Sequence, residues 1–453
     1  MTSERGNAAR SSGPPLTERE AEAQAHGIAF KTGPPGQVGV ELEWLVCDGR
    51  DPALPVDQRR VAAALARLDE PGALPGRGRL TTEPGGQVEL SSAPASGLGG
   101  CVAAARSDLA AVRQAIAPAG LSLAGHGLDP LRPPRRVLDL PRYAAMEEFF
   151  DRSGPWGRVM MCSTASVQVC VDAGQEQGGP SGFRWRWHLL HGLSPVLVAS
   201  FANSPFQDGR VSGWKSTRQA VWSRLDPSRT RAPEEVEPGA ADHGSAWPED
   251  TDPRDAWVSY VLDAHVMLLR DPGSHRWIAP SGLTFRDWVR GAVGPPPTAD
   301  DLTYHMSTLF PSVRPRGHLE LRVIDAQPGD GWIVPTAVVS ALLDDPVAAQ
   351  AAMAAVEPLQ KEGRPGELLV RAARLGQDDP ALATASRECF AAADSALGRL
   401  GAPAPIRDAV AAFADRYVLR GRCPADDRLD EARAALSFRP DPRNPDACLE
   451  ESS

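Results

Sequence analysis

Four stretches of the chain alternate apolar with polar residues: 38–44, 83–90, 164–172 and 319–323. Period-two alternation predicts strands with one buried face. On 38–44 that face takes Val38, Val40, Leu42 and Trp44, while Glu41 and Glu43 share the other side. Their α-carbons then lie roughly 7 Å apart. Gln87 and Glu89 share a face in the second stretch, and Glu320 and Arg322 in the fourth. In the third, 159–172 reads as one strand, with Thr164, Ser166, Gln168, Cys170 and Asp172 on its polar side.

Elsewhere the spacing turns helical. Val61, Leu65 and Leu68 predict a helix over 58–69, and Leu98, Val102, Ala105, Leu109, Val112 and Ile116 predict one over 97–117. The apolar run 183–201 predicts a buried helix bent at Pro195. Thr17 and Glu20 have capping-box spacing at the start of a helix, after a polar tail over 1–15. Residues 226–254 are rich in Pro, Asp, Glu and Gly without period, and predict a loop or lid. Beyond Pro335 the chain is Ala-rich, with helices expected at 336–345, 347–357, 366–375, 380–399, 404–418 and 427–437. Strands with one polar face, not regularly alternating with helices, predict an antiparallel α+β fold and not a doubly wound parallel sheet.

A glutamate on the outer face of a single strand is ordinary. Four strands with acids or their partners and no lysine are less so. Carboxylates without lysine point to a positive charge that arrives from outside, as a metal ion.

Composition narrows the function classes. The 453 residues carry 48 basic and 58 acidic side chains, a formal net charge of −10. That disfavours nonspecific nucleic-acid binding, and no basic run with interleaved aromatics argues otherwise. No run reaches transmembrane length and the N-terminus has no apolar signal core. Seven cysteines, an odd number without Cys-x-x-Cys, argue against a disulfide framework or zinc ribbon and fit a reducing cytoplasm.

Several motifs fail. Trp214-Lys215-Ser216-Thr217 lacks the glycine that a P-loop needs before its lysine. Gly125-x-Gly127 lacks the dinucleotide-binding context. His188 and His191 have no zincin glutamate between them and read as core, and Cys162 has no indicated partner histidine.

The blocks that remain resemble a known family. Gly39-Val40-Glu41-Leu42-Glu43, Glu83-Pro84-Gly85-Gly86-Gln87-Val88-Glu89-Leu90, Cys162-Ser163-Thr164-Ala165-Ser166-Val167-Gln168-Val169, Phe201-Ala202-Asn203-Ser204-Pro205-Phe206 and Leu319-Glu320-Leu321-Arg322-Val323-Ile324-Asp325 resemble the glutamate–cysteine ligases, in the branch shared by plants and many bacteria. They run in order over about residues 38–330. The Cys-Ser-Thr-Ala and Gln-Val-Cys variants are most similar to the actinobacterial ligases of ergothioneine biosynthesis. Two positions depart from the pattern: Cys170 stands where plant-type sequences have Asn, and His265 where Pro is expected.

The resemblance implies a glutamine-synthetase-like fold, a curved antiparallel sheet forming a half-funnel backed by helices. It implies a single catalytic domain over 31–453, preceded by the tail and lead-in helix of 1–30. It implies ATP-dependent joining of the L-glutamate γ-carboxylate to the L-cysteine amine in the cytoplasm, with ATP as co-substrate and no nucleic-acid or membrane partner. The acidic strands fit that chemistry. A carboxylate must be phosphorylated before an amine can displace its oxygen, and ATP approaching an anion needs divalent cations. Glu41, Glu43, Glu83, Glu89 and Glu320 would hold two or three Mg²⁺ ions. Arg322 would contact the transferring phosphate, or alternatively only pair with Glu320. Gln168 would bond substrate or order a metal ligand. Arg218 and Arg229, beside the expected lid, would clamp glutamate carboxylates; the alternative for both is solvated surface charge. Two other functions stay open: a carboxylate–amine ligase for a different amine or acid, and a noncatalytic binding protein that kept the fold.

Overall fold

The computed structural model describes residues 13–70, 72–233, 252–271, 273–274 and 276–435. Ten strands occur among them: β1 Gln37–Asp48, β2 Arg79–Thr82, β3 Val88–Ser91, β4 Ala95–Ser96, β5 Leu121–Ala124, β6 Ser166–Asp172, β7 Phe206–Gln207, β8 Arg210–Val211, β9 Val313–Pro315 and β10 His318–Asp325. Eight form one sheet in the order β2-β3-β1-β6-β10-β9, with β4 and β5 also paired to β1. Every pairing in it is antiparallel. β7 and β8 make a separate hairpin.

The long strand β1 organises the sheet because its alternation holds for most of its length. Val38, Val40, Leu42 and Trp44 are buried, whereas Glu41 and Glu43 are half-buried on the opposite face. Val167, Val169 and Val171 of β6 and Leu319 and Leu321 of β10 complete the apolar face. Helices Gly97–Ile116, Phe183–Phe201 and Ile333–Asp344 cover it. This is the antiparallel α+β arrangement expected from the pattern. The apolar cluster beneath the sheet runs from Ala21 of the first helix to Val418, so the N-terminal and C-terminal helices share it.

Helix boundaries follow local chemistry. Thr17 and Glu20 form the capping box at the start of Glu18–Ala29. The later helices are Pro346–Glu362, Pro365–Leu375, Pro380–Arg399, Ala404–Arg416 and Pro424–Ala435. Proline opens several of them, because the missing N–H costs nothing in a first turn. Pro195 sits inside an uninterrupted Phe183–Phe201 helix, where the Ser194 hydroxyl donates to the Leu190 carbonyl at 2.8 Å.

One expected strand is corrected. Residues 159–163 belong to a helix, Trp156–Ser163, and β6 begins only at Ser166. Val159, Met160 and Met161 are buried and helix-compatible, and the β-branched alternation starts at Val167. Thr164 is therefore a helix-end residue, its hydroxyl donating to the Met160 carbonyl at 2.6 Å, and not part of the polar face. Within the expected lid, Pro227–Thr230 is a short helix capped by Asp226, and a further helix starts at Pro253. The rest of the lid, 234–251, lies outside the described residues, as do 1–12 of the tail.

Candidate active site

The opposite face of the sheet carries the acids in register. Glu43 pairs with Glu89 across β1 and β3, and Glu89 with Thr81 across β3 and β2. Glu41 pairs with Gln168 of β6. Cys170 pairs with Glu320 of β10, which pairs in turn with Arg314 of β9. Four strands thus bring Glu41, Glu43, Glu89, Gln168 and Glu320 onto one surface. Glu83 joins from the β2–β3 turn, which is closed by Glu83 N–H to the Gln87 carbonyl at 2.9 Å. That turn is pinned to the end of helix Trp156–Ser163. Gln87 Nε2 donates to the Thr164 carbonyl at 2.9 Å. Gly85 lies so close that a Cβ there would stand 2.1 Å from the Cys162 oxygen.

The hydrogen bonds link the strands crosswise. Gln168 Nε2 donates to Glu43 at 2.9 Å, while its Oε1 accepts from Arg322. Arg322 also donates to Glu320. Arg314 Nη2 donates to the same Glu320 oxygen at 2.7 Å, and Arg316 stands 3.7 Å from the other. Glu89 accepts from the Thr81 hydroxyl at 2.7 Å and from Ser91 at 3.2 Å.

The charges divide this face in two. Burial, then the neighbouring Glu320 and Glu89, pushes the Glu41 carboxyl up to about 8. Burial and Glu89 raise Glu43; burial, Glu89 and Glu43 raise Glu83 well above the carboxylate range. Glu320 goes the other way. Its burial opposes ionisation, but Arg314, Arg322 and Arg316 outweigh that and hold it down to about 2. Three crowded acids that resist ionisation therefore lie beside one that is locked ionised.

A divalent cation would reverse the first tendency by supplying the missing charge. The donor set, carboxylate oxygens and an amide, suits a hard ion such as Mg²⁺. Glu320 Oε2 is buried without a hydrogen-bond partner among the described residues, one oxygen left over for such a role. As placed, however, no three His, Cys, Asp or Glu side chains among the described residues converge as a ready cage.

The two clamp candidates separate. Arg218 is 1% exposed, over the Trp222 ring at 4.7 Å. Its Nη2 donates to the Arg322 carbonyl at 2.7 Å. Its Nε and Nη1 have no hydrogen-bond partner among the described residues. Arg229 is fully buried and committed elsewhere. It donates to Asp226 at 3.3 Å, the Thr308 carbonyl at 2.7 Å and the His265 carbonyl at 2.5 Å. Arg229 thus ties three segments together through Nε, Nη1 and Nη2, where the expected clamp would present an open fork. Solvated surface charge is wrong for both arginines.

A model of glutamate-cysteine ligase family 2 matches residues 37–440. The chain belongs to that family. Among curated relatives, "Glutamate--cysteine ligase EgtA" of Mycobacterium tuberculosis is 40% identical over 408 residues, covering 89% of this chain and 87% of the relative. The EgtA of Mycolicibacterium smegmatis is 38% identical, covering 92% of each. A chloroplastic glutamate–cysteine ligase of Medicago truncatula is 31% identical over 56% of this chain and 48% of its own length. The antiparallel sheet backed by helices is the α+β arrangement that the sequence pattern implied.

Within this family member, Arg314 and Arg316 beside Glu320 escaped the sequence reading. Arg314 sits on a three-residue strand too short for alternation to reveal, and the Gly317 turn beside it was the available signal. Asp325 was also missed. A β-bulge between Leu321 and Ile324 shifts the register so that Asp325 pairs with Ser166, and no period-two count crosses a bulge.

Proposed function

We propose that this chain catalyses the ATP-dependent ligation of L-glutamate to L-cysteine through a γ-glutamyl phosphate, giving γ-glutamylcysteine, ADP and phosphate. The observation that carries the reading is the acid face. Glu41, Glu43 and Glu83 are packed closely enough to resist ionisation, beside arginines with unused N–H groups. Such a face suits cations that accompany a nucleotide, and guanidinium groups that receive its phosphate. The names of the mycobacterial and plant relatives support glutamate and cysteine as substrates.

In the first half-reaction an oxygen of the glutamate γ-carboxylate attacks the γ-phosphorus of ATP and ADP leaves. In the second the cysteine amine attacks the acyl carbon. Phosphate departs with the carboxylate oxygen, and the amine gives up a proton. Glu41, Glu43, Glu83, Glu89 and Glu320 would hold Mg²⁺, which when bound screens the phosphate oxygens. Arg322, held by Glu320 and Gln168, would meet the transferring phosphoryl group. Arg218 offers Nε and Nη1 to a substrate oxyanion. Gln168 fixes the spacing of β1 and β10 through Glu43 and Arg322.

Three coarser features extend the reading. The shared apolar core supports treating 31–453 as one catalytic domain. Among the described residues no single helix is long and apolar enough to cross a membrane. The six cysteines among the described residues are free thiols, which fits a cytoplasmic site of action. The motif variants at 162–170 support a place in ergothioneine biosynthesis.

The experiment supplies purified protein with ATP, Mg²⁺, glutamate and a panel of amines. ADP and a product of γ-glutamylcysteine mass support the reading. Turnover with another amine and none with cysteine would replace it by a different ligase.

A further inference from the structure

Asp325 stands at the C-terminal end of β10, 1% exposed, on the acid-bearing face through its pairing with Ser166. Its carboxylate is tightly held. Oδ2 accepts from the Asn203 backbone N–H at 2.8 Å and the Ser204 hydroxyl at 2.7 Å. Oδ1 accepts from the Ser216 hydroxyl at 2.9 Å. The same short segment carries Arg218, whose backbone N–H donates to Ser204 Oγ at 3.2 Å. Arg218 Nη1 stops 4.0 Å from Asp325 Oδ1, close enough for charge compensation and too far for a hydrogen bond.

That gap matters. A buried guanidinium beside an unoccupied aspartate would normally close on it in a bidentate pair. Here the Asp325 oxygens are taken by three other donors, and Arg218 Nη2 is drawn to the Arg322 carbonyl. Nε and Nη1 of Arg218 are left buried and unpartnered, as is Nε of Arg322. Leaving such donors unpaired is costly, so two arginines joined through Arg218 Nη2 and the Arg322 carbonyl that keep three of them unpaired are suited to an oxyanion that arrives later.

We propose that Asp325 is the positioning residue of an oxyanion subsite formed by Arg218 and Arg322. It offsets the buried charge of Arg218 without consuming its N–H groups, so that a carboxylate oxygen of glutamate completes them. Asn203, Ser204 and Ser216 keep Asp325 from collapsing onto the arginine. This rests on the reading of Arg218 as a substrate contact, and deepens it.

The test is a double-mutant cycle of Arg218→Ala and Asp325→Asn on the full chain, reading KM for glutamate, kcat, and ATP affinity. If the proposal holds, Arg218→Ala raises the glutamate KM about 100-fold, the size of a lost charge-assisted contact with its buried partner left behind. Asp325→Asn raises it about tenfold, within the coupling range of contacting groups. Added to Arg218→Ala, it changes nothing further, and ATP affinity stays within about twofold throughout. A rise that multiplies in the double variant, or an unchanged glutamate KM in Asp325→Asn, overturns the positioning role. An unchanged KM in Arg218→Ala overturns instead the underlying reading of that arginine. Should Asp325→Asn lose ATP affinity as well, Ser216→Ala frees only Oδ1. A glutamate KM raised by Ser216→Ala with ATP affinity kept then supports the proposal, and an unmoved one refutes it.

Discussion

Replacing Glu41 by Gln should make the metal-free protein more stable at neutral pH and the enzyme nearly inactive. Burial, with Glu320 and Glu89 nearby, sets the Glu41 carboxyl at about 8 in the fold, against 4.5 for an ordinary glutamate. Between those two values the native state holds a proton that the unfolded chain has released, so raising the pH favours unfolding. At pH 7 the penalty is the stretch from 4.5 to 7, or ~3 kcal/mol at ~1.4 kcal/mol per pH unit. Part of it is shared with the neighbouring Glu320 and Glu89, so ~2–3 kcal/mol is the expected gain from one substitution. Gln has the shape of the neutral carboxyl and no charge to lose. Urea denaturation of EDTA-treated protein at pH 5.5, 7 and 8 measures the difference between variant and wild type. That difference should grow with pH, and Mg²⁺ should stabilise wild type at pH 8 more than the variant. Turnover should meanwhile fall by orders of magnitude. A variant less stable than wild type at pH 8 without metal, or fully active, would refute the reasoning.

Other consequences can be checked alongside. Activity should vanish with EDTA and return with Mg²⁺ or Mn²⁺, and Glu89→Gln should lose turnover while its circular dichroism stays native. Arg229→Ala should cost ~3–5 kcal/mol of stability, since it strands Asp226 in a buried site, and denaturant midpoints will show whether it does. His126 and His305 are held neutral by burial, at about 3. Each lends stability at neutral pH that is lost as the pH falls below 6.5, by ~1.4 kcal/mol per unit. His305→Gln keeps a donor for the Val261 carbonyl, so its stability relative to wild type should rise between pH 7 and 5; a flat difference would contradict this.

The sheet was legible where alternation ran long. Val38 to Trp44 set the buried face of β1, and with it the side on which Glu41 and Glu43 stand. The helices after Pro335 were legible for the matching reason, a sustained apolar stripe. Short or irregular pieces were not. Val159–Ser163 alternate weakly enough to read as strand, yet burial of consecutive methionines favours a helix there. Arg229 read as a clamp for glutamate because a sequence gives no view of which carbonyls fold around a guanidinium. Here those of Thr308 and His265 saturate it. Asp325 was hidden by the bulge, and Arg314 by the shortness of its strand. For Arg229 and Asp325 the missing information is long-range: Arg229 meets Thr308, and Asp325 meets Ser204, only once the sheet has formed.

The central claim is activation of the glutamate γ-carboxylate by phosphorylation, and isotope transfer tests it most directly. Glutamate labelled with ¹⁸O in the γ-carboxylate is incubated with ATP, Mg²⁺, cysteine and the purified protein. Released phosphate is then analysed by mass. The mechanism expects one ¹⁸O per phosphate, with ADP as the nucleotide product in equal amount to γ-glutamylcysteine. Unlabelled phosphate, or AMP and pyrophosphate in place of ADP, would contradict it.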